Sequence, residues 1–180
     1  MRRLLPCLLL VLIAAAVPLA AAEPLKVATL LPYIEEALRA AAPGRARVVA
    51  GVRRTEGGAL AQGVSDLGSP HAPNFERLAA SGAEVVVVDE RIHKALEPRL
   101  RAVGVEVLSV RGDSVEGTFA GIQTAARRAG ADREMAARVQ EARKALQRLA
   151  LPRPVPVLVL FGAPGSFLVV TSDTWLGDLL

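Results

Sequence analysis

Residues 84–110 read EVVVVDERIHKALEPRLRAVGVEVLSV. The run Glu84-Val85-Val86-Val87-Val88-Asp89 is continuous and β-branched, the pattern of a strand covered on both faces. Apolar residues at Ile92, Ala95, Leu96 and Leu100 follow at helical spacing, and residues 105–110 are strand-like again. Strand, helix and strand in so short a span make a βαβ unit, which predicts a parallel sheet with helices on its faces.

Upstream, residues 26–31 form a short apolar strand punctuated by Pro32, and 33–42 carry helical spacing at Ile34, Ala37, Leu38 and Ala41. Pro43-Gly44 ends that helix, 47–52 form a second strand, and 53–65 are a polar, Gly-rich loop. Downstream, Asp113-Ser114 caps a helix over 115–129. Asp132 opens a longer helix that runs to Leu151, where Pro152 and Pro154 stop it, with a charged face that reads as solvated. A strand over 155–161, Gly162-Ala163-Pro164-Gly165-Ser166, a second strand over 167–170 and a helix start near Thr174 complete the pattern. The expected organisation is an α/β lobe at 23–130, a joining helix at 131–151 and the start of a second α/β lobe at 152–180. One or two strands do not make an independently stable sheet, so the second lobe reads as incomplete.

The chain has 180 residues, 52% hydrophobic and 22% charged, enough for one or two packed domains and far from the composition of a disordered tail. Aromatic residues are 3% of the total, few for a protein that stacks bases or sugars. A net charge of +4 with scattered Lys and Arg argues against a nucleic-acid partner, which calls for a basic stripe. Residues 1–22 carry Arg2-Arg3, an apolar run from Leu8 and Ala20-Ala21-Ala22, the layout of an export signal cleaved after Ala22. Pro6 and Pro18 leave too short a run between them for the ~20 residues of a membrane-spanning helix. Cys7 precedes that run and so has the wrong place for a lipoprotein cysteine. Cleavage would remove the single cysteine of the chain, and with it any disulfide or thiol chemistry. The expected location is the periplasm.

Gly162-Ala163-Pro164-Gly165-Ser166 after a strand is like the opening of a phosphate-binding loop, but Phe167 and Leu168 stand where glycine and lysine are needed. Gly57-Gly58 is no dinucleotide fingerprint, and Arg111-Gly112-Asp113 reads as a turn and helix cap. There is no G-x-S-x-G or H-E-x-x-H. Asp89-Glu90 lies at the C-terminal end of a strand, where α/β proteins place functional groups, and caps of the next helix are the commoner use of such a pair. Of the two histidines, His93 falls in the first turn of the helix after Asp89 and reads as a surface residue. His71 lies in Asp66-Leu67-Gly68-Ser69-Pro70-His71-Ala72-Pro73-Asn74, held stiff by prolines on both sides ahead of a helix at Phe75. A neutral imidazole displayed in this way is either a metal ligand or a plain loop histidine.

Three stretches together resemble the binding proteins of iron-complex and vitamin B12 ABC transporters, whose two lobes are joined by one rigid helix. They are Leu67 to Leu78 with the following Ala83-Glu84-Val85-Val86-Val87-Val88, the long helix after Asp132, and Val157 to Phe167 continuing into Thr174-Trp175-Leu176-Gly177-Asp178-Leu179-Leu180. The third stretch most resembles the haem-binding subgroup, in which the loop position of His71 holds a methionine that ligates haem iron. The resemblance implies a Rossmann-like fold in two lobes, the second one truncated here, and an axial ligand of changed type at His71. It also implies a cleft walled by Tyr33, Arg53, Arg54, Pro70 and His71, with Ser166 and Phe167 opposite. Arginine suits ligand carboxylates or phosphates, and Tyr33 could stack on a ring, ligate ferric iron or simply pack. The implied role is that of a non-enzymatic, monomeric receptor passing haem or a ferric siderophore to a permease and its ATPase. Cobalamin or a bare metal ion would fit the same class, and an exported α/β enzyme using Asp89 and Glu90 is the alternative from another.

Overall fold

A computed structural model describes residues 23–53, 59–149, 160–163 and 166–170; the expected signal at 1–22, Arg54, the strand over 155–159 and the helix start at Thr174 lie outside them. A five-stranded sheet runs in the order β3-β2-β1-β6-β7, all pairs parallel. Its strands are β1 (Leu25–Thr29), β2 (Ala46–Gly51), β3 (Ser65–Asp66), β6 (Val85–Asp89) and β7 (Glu106–Val110). The chain winds one way from β1 to β3 and then returns to β6 and β7 on the other side of β1. The strand order therefore reverses between β1 and β6.

All five residues of β6 are buried, as four successive valines in a central strand require. On one face pack α1 (Pro32–Ala41), α4 (Val115–Arg128) and the first half of α5 (Asp132–Leu149), through Ile34, Leu38, Ala125, Ala126, Met135 and Val139. On the other lie α2 (Phe75–Ala80) and α3 (Glu97–Ala102), through Leu78 and Leu100 against Val86, Val88 and Leu67. Gly121 lets α4 lie close on β7, because a Cβ there would come within 3.1 Å of the Arg111 carbonyl and the Val110 side chain. Ser114 caps α4 by accepting from the Gly117 N–H at 2.9 Å, as its sequence position predicts.

Two segments differ from the sequence expectation. The helix expected from Ile92 begins later, as a 3-10 turn at Lys94–Leu96 leading into α3, with Pro98 in its first turn. Ile92 is 58% exposed and His93 is 1% exposed, so the histidine is a core residue and not a surface one. The cause is local: Asp89 Oδ1 accepts from the N–H groups of Arg91 and Ile92, both at 2.9 Å, and this turn rotates His93 inward. At the other end, β8 (Leu160–Ala163) and β9 (Ser166–Val169) pair antiparallel, not in a parallel sheet. Two residues between strands are too few for the crossover that parallel pairing needs.

Candidate functional site

In an open α/β sheet the loops after the strands meet at the carboxyl edge, and a crevice opens where the strand order reverses. Here that point lies between β1, which leads to Leu30, Leu31, Pro32 and Tyr33, and β6, which ends at Asp89. Thr29 is buried there, its hydroxyl accepting from the Leu31 N–H at 3.0 Å and so setting the turn into α1.

Asp89 is also buried and is fully engaged by backbone. Besides the Arg91 and Ile92 amides on Oδ1, its Oδ2 accepts from the Gly112 N–H at 3.1 Å, which ties the ends of β6 and β7 together. Glu90 is ion-paired with Arg111, and Arg91 with Asp113 at 3.2 Å. The carboxylates at the end of β6 thus act as caps and charge partners. Neither stands free to serve as an acid or base.

Tyr33 brings its ring to this corner, but its hydroxyl points inward. The oxygen is buried without a hydrogen-bond partner, and a Cβ on Gly112 would lie 2.8 Å from it and 3.3 Å from Asp89 Oδ2. Burial first, and the Asp89 charge second, push the phenol pKa up to about 12. In this structure the Tyr33 hydroxyl packs against the Asp89–Gly112 corner.

His71 occupies the tip of a hairpin that sequence reasoning read as plain loop. Strands β4 (Gly68–Ser69) and β5 (Ala72–Pro73) pair antiparallel, with Pro70 and His71 as the two-residue connection. Pro70 fixes an ordinary negative φ, and among the described residues only glycines have a positive one. Such a turn lacks the twist of the usual hairpin turns and splays its strands, which fits a ladder of two pairs. The base is firm: Leu67 is fully buried, its N–H donates to the Gly51 carbonyl at 2.8 Å, and Asn74 returns a bond to the Leu67 carbonyl at 2.8 Å. His71 itself is exposed. Beneath it sits His93, with ring centroids 6.5 Å apart and planes tilted by 34°.

The structure therefore gathers Tyr33, Pro70 and His71 with the unexpected His93 and Asp89 at one edge of the lobe. Arg53 lies farther along, after β2, where it pairs with Asp66 at 2.5 Å. The Gly68 amide and Arg53 together hold that carboxyl below the usual range. Arg54 and the side chains of Ser166 and Phe167 lie outside what is described; the backbone of the latter two is in β9. Among the described residues, no three His, Cys, Asp or Glu side chains converge as a metal site, so a bare ion finds no ready-made ligand set. No described helix is long and apolar enough to cross a membrane.

No protein-family model matches the chain, and no curated protein matches it in sequence. Solved structures match it in fold. An ABC transporter substrate-binding protein from Listeria monocytogenes superposes with a TM-score of 0.72 at 19% identity, over 86% of this chain and 61% of that one. The periplasmic haem-binding protein HutB of Vibrio cholerae gives 0.68 at 20% identity, over 86% and 62%. The siderophore-binding protein BauB, bound to ferric iron with two molecules of acinetobactin, gives 0.66 at 18%, over 86% and 58%. The fold is thus the one found in these binding proteins, as the sequence resemblance leads one to expect. The chain spans about 60% of their length.

Proposed function

We propose that this chain is the binding component of an ABC importer, acting outside the cytoplasmic membrane, and that it takes up an iron complex, haem or a ferric siderophore. The carrying observation is a histidine on a proline-stiffened hairpin tip, beside His93 at the carboxyl edge of a fold otherwise seen in haem- and siderophore-binding proteins. On this reading His71 supplies an axial nitrogen to the iron. Pro70 sets the backbone that presents it. Arg53, half-exposed and shared with Asp66, lies within the same edge to meet ligand carboxylates, with Arg54 beside it in sequence. The opposing wall, with Ser166 and Phe167, belongs to a second lobe that begins at residues 152–180, after residues 131–151 as the joining helix. The protein works as a monomer, without catalysis, and hands its cargo to a membrane permease driven by an ATPase. Residues 1–22 direct its export and are then removed.

Spectroscopic titration of the purified chain with ferric haemin tests this reading. A saturable Soret shift that is lost in His71→Ala is the expected result. Binding of a ferric siderophore or of cobalamin in place of haemin keeps the receptor role and changes the cargo. Binding of none of the three overturns the proposal.

A further inference from the structure

His93 is buried at the heart of this edge, and the proposed binding step makes no use of it. Its Nδ1 accepts from the Asp89 N–H at 2.9 Å, while the main-chain N–H of His93 donates back to the Asp89 carbonyl at 3.0 Å. A ring nitrogen that accepts carries no proton, so in the neutral imidazole the proton sits on Nε2. Nε2 is then a donor, and it is buried with no hydrogen-bond partner. A buried donor without an acceptor is costly, and one in a native fold asks for a reason. The same tautomer excludes His93 as an iron ligand through Nε2, because the lone pair that a metal needs is not there while Asp89 holds Nδ1.

What faces this ring is the tip of the β4–β5 hairpin. The Pro70 backbone is near enough to favour a proton on the ring, and the His71 ring lies 6.5 Å away. The tip is otherwise held within itself, by a ladder of two pairs and by the His71 N–H on Ser69 Oγ at 3.3 Å. A small approach of the hairpin would give Nε2–H the Pro70 carbonyl as its acceptor.

We infer that His93 is a positioning residue for His71: its Nε2–H, fixed as a donor by the Asp89 amide, closes on the Pro70 carbonyl when ligand seats, and so sets the direction of the His71 imidazole. The inference rests on the reading of His71 as an iron ligand. It divides His93 into two tasks, an acceptor at Nδ1 that orders the 89–93 turn and a donor at Nε2 that orders the hairpin.

Two substitutions separate the tasks. His93→Asn keeps an acceptor at the Nδ1 distance and has no donor at the Nε2 distance, whereas His93→Gln places an amide N–H there. The ligand-free chain is read first, by the ¹⁵N shifts of its imidazoles. The Nε2–H tautomer at His93 supports the inference; the Nδ1–H tautomer overturns it, whatever haemin does. The ferric haemin complexes are then compared by electron paramagnetic resonance and by haemin retention. Wild type should give a single coordinated species. His93→Asn should give a mixture of species and about tenfold weaker retention, the size expected for one lost hydrogen bond, and His93→Gln should recover the single species. If wild type coordinates haemin through His71 and both variants match it, this inference falls and the binding reading stands. If wild type shows no coordinated haem, or His71→Ala leaves its spectrum unchanged, both fall.

Discussion

Both edges of the parallel sheet carry exposed ion pairs, but they differ in the polar groups they bury. At the amino edge, Arg45 pairs with Glu134 at 3.0 Å and donates to the Gly130 carbonyl, and Arg128 grips Glu106 through three bonds, two of 3.0 Å from Nε and one of 2.7 Å from Nη2. The Lys26 amide donates to Glu84 at 3.0 Å. These groups are exposed and satisfied, and water could replace any of them at small cost. At the carboxyl edge, Thr29, Asp89 and His93 are buried, and two polar atoms beside them, Tyr33 Oη and His93 Nε2, have no partner. The amino edge is built as a closed surface. The carboxyl edge buries polar groups that the described residues leave partly unpaired, and the proposed ligand site lies there.

Substitutions that treat the two edges alike should break this contrast or sharpen it. The largest effect is expected from Asp89→Ala, which strips three backbone N–H groups of their acceptor in a buried corner. Urea unfolding should show a loss of about 3 kcal/mol; a loss no greater than that of an exposed pair would contradict the account. Gly112→Ala comes next, because its Cβ meets the Tyr33 hydroxyl at 2.8 Å. It should cost about 1–3 kcal/mol by overpacking, and Tyr33→Phe in the same chain should recover part of it by removing the clashing oxygen.

The His93 imidazole adds a pH dependence confined to the carboxyl edge. Burial lowers its pKa from 6.5, with the Asp89 charge opposing and His71 adding to the shift. The unfolded chain therefore binds the proton more readily than the folded one, and stability is present above pH 6.5 and is lost as pH falls from there toward the lowered native value. Replacing His93 with Gln should flatten that slope in urea midpoints measured between pH 7.5 and about 5. The smallest effect is expected at the amino edge: Arg128→Ala should change stability by about 0.2–1 kcal/mol, and less in high salt.

What could be read from the chain followed from how local each signal is. Four valines before Asp89 specify a central strand without reference to anything distant, and Ser114 caps its helix from its own position. The hairpin under His71 escaped because strands of two residues, Gly68–Ser69 and Ala72–Pro73, leave no alternation to detect. His93 escaped because its partner is a main-chain amide four residues back. The spacing of Asp89 and His93 was the available signal, since a side chain that begins an Asx turn reorders the residues after it. A phase read from Ile92 turned the wrong residue inward. Tyr33 and His71 were legible as candidates by their places after β1 and before α2, but the inward aim of the Tyr33 hydroxyl depends on Gly112, far along the chain.

The contrast between the edges is tested most directly by paramagnetic broadening of backbone amide signals as ferric haemin is added. The account predicts broadening at residues 30–33, 66–73, 89–93 and 110–113, strongest around His71, with residues 44–46, 106 and 128 unaffected. Broadening centred on the amino edge, or spread evenly over the lobe, would contradict it.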